Sequence, residues 1–329
     1  MVVGLVGATG LVGRAILQGL GERRIPISDL RLWASSRLPG RRISFKGREH
    51  PVRPVAEADF AGCGIVFFAG TEGEKGASRL YASRAIEAGA IVIDNGSDFR
   101  LEAGVPLVVP EVNPDDVWKH RGLIANPNCS TIQLVTALNL VQREAGIRRI
   151  VVSTYQAVSG AGRAGITALN EEVKGLKSKF KDSPFAKRIA ANVIPQISEF
   201  GELGYSGEEW KMANETRKIF HDRRLAVNAT AVRVPVENGH AESVFFETRE
   251  RIEPKALEKL LARTPGVIFA KQGYHTPLEA AGRDQVFVSR LRPDPVNPRA
   301  FSAWVVADNL RKGAATNAVQ IAQLLMNSK

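Results

Sequence analysis

The chain has very little cysteine: two residues in 329, Cys63 and Cys129. That excludes a disulfide scaffold, leaves each thiol to be judged by itself, and leads us to expect a reducing, cytoplasmic compartment. Long apolar runs are absent too, none approaching the roughly 18–20 residues of a membrane span, so no membrane partner is expected. The apolar start, MVVGLVGATGLVG, has no basic residues ahead of it, and its glycines suit a strand–turn–helix better than a secretory signal. There is no internal repeat, no low-complexity linker and no histidine or cysteine spacing typical of a metal site. The formal charge of +11 is scattered, with short groupings such as Arg41–Arg42 and the stretch 174–188. Nucleic-acid binding wants a denser stripe interleaved with aromatics, so no nucleic-acid partner is expected. Attraction of small anionic ligands explains the sign of the charge as well.

What is present reads as two textures. Val2–Val6, Leu30–Ala34, Ile65–Ala69, Ile91–Asp94, Leu107–Val109 and Leu123–Ala125 are short apolar runs, with helical patterns over Leu11–Gly21 and Ser78–Ala88. Such alternation predicts βαβ units and a parallel sheet buried on both faces, a Rossmann-type α/β domain over residues 1–128. From about Ile150, longer strand-like segments follow: Val151–Val158, Ala226–Val236, Ser243–Arg251, Gln285–Arg292 and Phe301–Val306. Helical patterns near 163–180, 207–219 and 254–263 separate some of them, predicting an α+β domain over 129–308 with a mixed or antiparallel sheet. Asn309–Met326 reads as an amphipathic helix returning to the first domain, which would then include 309–329.

Between the first strand and first helix stands Gly7-Ala8-Thr9-Gly10-Leu11-Val12-Gly13, a G-x-x-G-x-x-G relative of the dinucleotide fingerprint. Gly7 and Gly10 permit a tight turn and close approach to a pyrophosphate, and Gly13 lets the helix pack on the strand. An NAD site usually has an acidic residue at the end of the second strand. Here that end reads Ala34-Ser35-Ser36-Arg37, with hydroxyls and a guanidinium suited to a 2′-phosphate, so NADP is expected.

Asn126-Pro127-Asn128-Cys129-Ser130-Thr131 places Cys129 at a helix N-terminus, where unpaired backbone N–H groups favour a thiolate and can hold an oxyanion. Cys63, leading into a buried strand, reads as a packing residue. Of the five histidines, His240 stands out, in Asn238-Gly239-His240 between two long strands; His50, His120, His221 and His275 have surface-like contexts.

The blocks GATGLVG, NPNCST, STYQAVSGAGR, NETRKIF, RVPVENGH and DNLRKGAATNAVQIAQ occur in the order seen in aspartate-semialdehyde dehydrogenases, and the chain resembles that family from Val2 to Gln323. The related N-acetylglutamyl-phosphate reductases typically carry a different cysteine block, resembling Asn-Pro-Gly-Cys-Tyr-Pro. The resemblance implies NADPH-dependent reductive dephosphorylation of L-aspartyl 4-phosphate through a cysteine thioester, in lysine, threonine and methionine biosynthesis, by a homodimer or homotetramer. It implies Cys129 as nucleophile, His240 as acid–base residue, Gln156 as the residue orienting the reacting group, and Asn128 beside the nucleophile. Arg100 and Lys218 would bind phosphate, Glu215 the substrate amine, and Arg233 the substrate carboxylate, where a planar fork suits. Gly7, Thr9, Gly10, Leu11, Val12, Gly13, Ser36, Arg37, Ser159, Gly160 and Asn309 would meet the cofactor. The chain departs from the family pattern at Leu38, where serine is common, and at Gly96 and Asp98, where Ser and Ala are commoner. Three rivals stay open: another acyl-phosphate or acyl-thioester reductase on the same scaffold, a non-catalytic NADPH-binding or redox-sensing relative, and a nucleic-acid-binding role.

Overall fold

The structure, a computed structural model, describes residues 1–35, 41–70, 76–175 and 183–327. The chain divides into two compact units, Met1–Asn128 with Ala314–Lys329, and Cys129–Gly313. Among the described residues no helix is long and apolar enough to cross a membrane.

In the first unit β1 (Val2–Val6), α1 (Leu11–Glu22), β2 (Asp29–Ala34), β3 (Arg42–Phe45), β4 (Arg48–Pro54), β5 (Cys63–Phe68), α2 (Ala77–Glu87), β6 (Ile91–Asp94) and β7 (Leu123–Ala125) follow in order. They form a seven-stranded sheet ordered β3-β4-β2-β1-β5-β6-β7, parallel except for the β3–β4 hairpin. Both faces of the sheet are covered, which is why Val66, Phe67 and Phe68 run together without alternation and are all fully buried. One face packs on Ile16 and Leu20 of α1, together with Val319 and Ile321 near the C-terminus; the other packs on Ala82 and Ala85 of α2.

One expectation fails here, and one element was not foreseen. The β3–β4 hairpin was not foreseen; its turn places Lys46 and Gly47 at φ of 49° and 75°, the left-handed pair of a two-residue hairpin. Leu107–Val109 forms no strand, only an isolated bridge from Leu107 to Ala125, because Pro106 and Pro110 bracket it.

The second unit runs α3 (Cys129–Ala145), β8 (Ile147–Gln156), α4 (Gly162–Val173), α5 (Gly207–Ile219), β9 (Ala226–Arg233), β10 (His240–Thr248), α6 (Pro254–Ala262), β11 (Val267–Ala270), α7 (Pro277–Ala280), β12 (Val286–Pro293) and β13 (Ala300–Ala307). Its sheet is mixed, ordered β11-β12-β13-β10-β8-β9, with β8–β9 and β11–β12 parallel and the central pairs antiparallel. One face packs on Leu134 and Leu138 of α3, Met212 of α5 and Leu257 of α6. On the other, Val151, Phe245 and Trp304 are partly exposed, and Tyr155 is 37% exposed with its ring centroid 5.5 Å from that of Trp304.

The C-terminal segment is not one helix from Asn309. A π turn over Arg311–Ala315 precedes α8 (Thr316–Met326). The Gly313 N–H reaches back five residues to the Asp308 carbonyl at 3.0 Å, the bond that defines the wider turn.

Candidate active site

In the first unit, β1 delivers the glycine loop. Gly7 has φ +85°, and a Cβ there would lie 2.4 Å from the Ala69 carbonyl oxygen; a Cβ on Gly13 would lie 2.2 Å from the Gly7 oxygen. Both positions therefore exclude a side chain. Gly10 caps α1 with no side-chain hydrogen bond, and no acidic residue stands in the helix's first turn, formed by Leu11, Val12 and Gly13. An anion meets unopposed N–H groups there. Beside it lies a cleft of about 430 Å³ lined by Gly7, Thr9, Gly10, Ser35, Ala69 and Tyr81 among others, at the carboxyl ends of β1, β2 and β5. That is where an open α/β sheet binds a dinucleotide. The chemistry of these residues fits a nicotinamide dinucleotide. Ser36, Arg37 and Leu38 lie outside the described residues.

Arg100, 6% exposed, is locked by main-chain carbonyls: its Nε donates to Asn126 O and its Nη2 to Asn95 O, each at 2.9 Å. Asn128, also buried, ends the first unit.

The second unit assembles the chemistry at one end of its sheet. β8 and β9 run parallel and finish at Gln156 and Arg233, which are register partners. β10 runs antiparallel to β8 and begins at His240, so the imidazole is held on the first residue of a strand and not in a free loop. Cys129 is the first residue of α3 and half-buried, while Cys63 is buried. Burial also pushes the Cys63 thiol up from its ordinary value, which keeps it protonated and inert.

His240 is fully buried. Its Nδ1 accepts from the Ala157 N–H at 3.1 Å. A backbone N–H can only donate, so the neutral ring carries its proton on Nε2. That Nε2 is buried and has no hydrogen-bond partner among the described residues. Burial first, then the Arg233 charge, pull the imidazole well below its ordinary value, so it stays neutral. Arg233 Nη1 donates to Ala157 O at 2.6 Å. Burial lowers the guanidinium's pKa, and the charges of Glu208 and Cys129 oppose that, so all three lie within electrostatic reach. Gly160 makes the room: a Cβ there would sit 2.7 Å from Arg233 Nη1 and 3.5 Å from His240 Nε2. Ser159 Oγ accepts from Asn309 Nδ2 at 3.0 Å, and Asn309 Oδ1 accepts from the Gly239 N–H at 2.9 Å.

Glu208 is the residue sequence reasoning missed. Its Oε1 accepts from Gln156 Nε2 at 3.1 Å, and the carboxylate is 5% exposed. Glu215 and Lys218, the expected amine and phosphate contacts, stand farther along α5, about 10 and 15 Å from Glu208 at 1.5 Å rise per residue. Glu208 falls in the first turn of α5 beside Glu209, whose carboxylate closes a capping box with Ser206. In sequence it passes for an ordinary acidic residue at a helix start.

Comparison with known proteins gives the family. Residues 2–120 match the family model "Semialdehyde dehydrogenase, NAD binding domain", and residues 138–312 match "Semialdehyde dehydrogenase, dimerisation domain". An aspartate-semialdehyde dehydrogenase of Aquifex aeolicus is 48% identical over 98% of this chain and 97% of its own length. The crystal structure of aspartate semialdehyde dehydrogenase II from Vibrio cholerae complexed with ASA is 45% identical, with a TM-score of 0.94 over 99% of this chain and 98% of that one. A probable aspartate-semialdehyde dehydrogenase from Pseudomonas aeruginosa, 30% identical, superposes with a TM-score of 0.91 over 100% of this chain and 99% of its own. The chain, an α/β oxidoreductase with a nicotinamide-binding domain, belongs to the aspartate-semialdehyde dehydrogenase family.

Proposed function

We propose that the chain reduces L-aspartyl 4-phosphate to L-aspartate 4-semialdehyde, with release of inorganic phosphate, through a thioester on Cys129. The observation that carries this reading is the gathering of Gln156, Arg233 and His240 on three adjacent strand ends, with Cys129 and Glu208 in electrostatic reach of Arg233.

The Cys129 sulfur attacks the acyl carbon; a C–S bond forms, the carbon–oxygen bond to phosphate breaks, and phosphate leaves with the electron pair. The first N–H groups of α3 and Asn128 stabilise the oxyanion that develops. Gln156, its amide turned by Glu208, orients the acyl group. The N–H edge of Arg233 not engaged with Ala157 grips the substrate carboxylate. The substrate ammonium falls to Glu215, while Glu208 holds the Gln156 amide. Arg100 and Lys218 hold the phosphate. Neutral His240 is the acid–base residue: its Nε2 N–H donates a hydrogen bond to the sulfur and then to the oxyanion while its Nδ1 accepts from Ala157, an arrangement that protonation of the ring would break. A nicotinamide cofactor held in the glycine cleft would supply the hydride that reduces the thioester carbonyl; the oxyanion so formed closes back to C=O, the C–S bond breaks, and the sulfur leaves as the Cys129 thiolate, releasing the aldehyde. Thr9 to Val12, Ser159, Gly160 and Asn309 position it.

NADP is our choice of cofactor, supported by a β2 end, Ala34-Ser35, with no carboxylate to repel a 2′-phosphate. The half-exposed apolar sheet face of Val151, Tyr155, Phe245 and Trp304 supports a homodimer, and a content of only two cysteines, too few for a disulfide scaffold, supports a cytoplasmic setting. Steady-state assay in the reverse direction tests the function: aspartate semialdehyde should reduce NADP⁺ only when phosphate or arsenate is present. Turnover independent of either anion overturns the reading.

A further inference from the structure

Asp308 follows the last residue of β13 and is 2% exposed. One carboxylate oxygen serves a local purpose: Oδ1 accepts from the N–H groups of Leu310 at 2.8 Å and Arg311 at 3.0 Å, starting the turn that leads into the π segment. A local cap needs no more than that. The other oxygen is committed to distant chain. Oδ2 accepts from Asn238 Nδ2 at 2.8 Å and from the Gly282 N–H at 2.7 Å.

These two commitments reach both reacting groups. On one side, Asn238-Gly239 is the turn that delivers His240 to the start of β10, and Asn238 Oδ1 accepts from Ser159 Oγ at 3.2 Å. On the other, the π turn carries Gly313, where a Cβ would stand 2.9 Å from Cys129 Cβ and 3.3 Å from its Cα. Gly313 thus lies directly against the nucleophile, its own N–H fastened to Asp308 O at 3.0 Å.

We propose that Asp308 is a positioning residue that fixes the distance between the Cys129 sulfur and His240 Nε2, by holding the Asn238–Gly239 turn and the π turn through one carboxylate. The inference rests on the pairing of Cys129 with His240 given above. A displacement of about 1 Å at such a pair can cost about 10²-fold in rate.

Asp308→Asn tests it. The amide has one acceptor oxygen, so it can serve the Leu310 and Arg311 donors or the Asn238 and Gly282 donors, but not both pairs. Asn238→Asp combined with Asp308→Asn exchanges donor and acceptor across the 238–308 contact and rebuilds it. Two quantities are read: kcat against KM for aspartate semialdehyde, and the pH profile of Cys129 alkylation by iodoacetamide, which needs no substrate. The single variant should lower kcat by roughly 10²-fold with little change in KM and displace the alkylation profile. The double variant should recover much of both. An unchanged kcat and profile, even with lost thermal stability, or a double variant no better than the single one, overturns the proposal. If the native protein does not turn over aspartate semialdehyde, the assigned reaction fails, and the alkylation profile still decides the positioning role. Should Asp308→Asn not fold, Asn238→Ala removes one end of the same bond and is read by the same two measures, with the same overturning result.

Discussion

Glu242 stands on β10 two residues after His240, between Thr154 of β8 and Val305 of β13, and is fully buried. Burial pushes its carboxyl well above the ordinary value of 4.5, with some relief from the Gln133 amide. Among the described residues the group has no hydrogen-bond partner of ordinary length, so the folded protein holds it protonated. Below pH 4.5 the folded and unfolded chains both carry the proton, and the site costs nothing through linkage. Above it the unfolded chain ionises first, and the fold loses about 1.4 kcal/mol per pH unit until the pH passes the raised folded value. Glu242→Gln is neutral in both states and close in shape, so it escapes this loss. Urea denaturation of both proteins at pH 5, 6 and 7 measures it. The advantage of the variant should grow with pH, by at most about 2.7 kcal/mol over that span. A stability difference that does not change between pH 5 and 7 would refute the reasoning, since the buried carboxyl would then titrate as it does in the unfolded chain.

His240 runs in the opposite sense. Held neutral by burial and Arg233, it contributes no loss above its ordinary value of 6.5, and stability falls as the pH drops below that towards the depressed folded value. The acidic limb of the kcat profile should therefore lie below pH 6.5, and His240→Asn should lower kcat by ~10²–10⁴ with a modest change in KM; an acidic limb near 6.5 would mean that the ring titrates freely. Gly160→Ala should raise KM for aspartate semialdehyde by about tenfold or more, since 1.4 kcal/mol suffices and the new Cβ displaces Arg233. Unaltered KM would remove Arg233 from substrate binding. Arg233→Lys, which keeps charge but loses the fork, should raise KM as well, and a value equal to the native one would argue against bidentate recognition.

Much of this architecture was legible because buried parallel strands write themselves as unbroken apolar runs. Val2–Val6 and Ile91–Asp94 appear in the structure with the bounds the sequence suggested. The hairpin of Arg42–Phe45 and Arg48–Pro54 was not legible, being a charged edge pair with a Lys-Gly turn. β11, four half-buried residues at the edge of the second sheet, gave too short a signal. The site showed the same division. Cys129 announced itself by standing at the start of a helix, and Arg233 by interrupting an apolar strand. Glu208 could be found only in three dimensions, because its partner Gln156 is 52 residues away. The Asn309–Met326 pattern concealed a π turn, since side-chain periodicity does not reveal that Asp308 caps the segment and that Gly313 must lie against Cys129.

The central claim is a covalent thioester on Cys129, and intact mass measurement tests it most directly. Protein mixed with aspartate semialdehyde and excess NADP⁺ in phosphate-free buffer can lose hydride to the cofactor but has no anion to release the acyl group. The account predicts a mass increase of one aspartyl group, mapped by proteolysis to Cys129, absent from Cys129→Ser, and discharged when phosphate is added. An adduct on any other residue, or phosphate-dependent turnover that persists in Cys129→Ser, would contradict it.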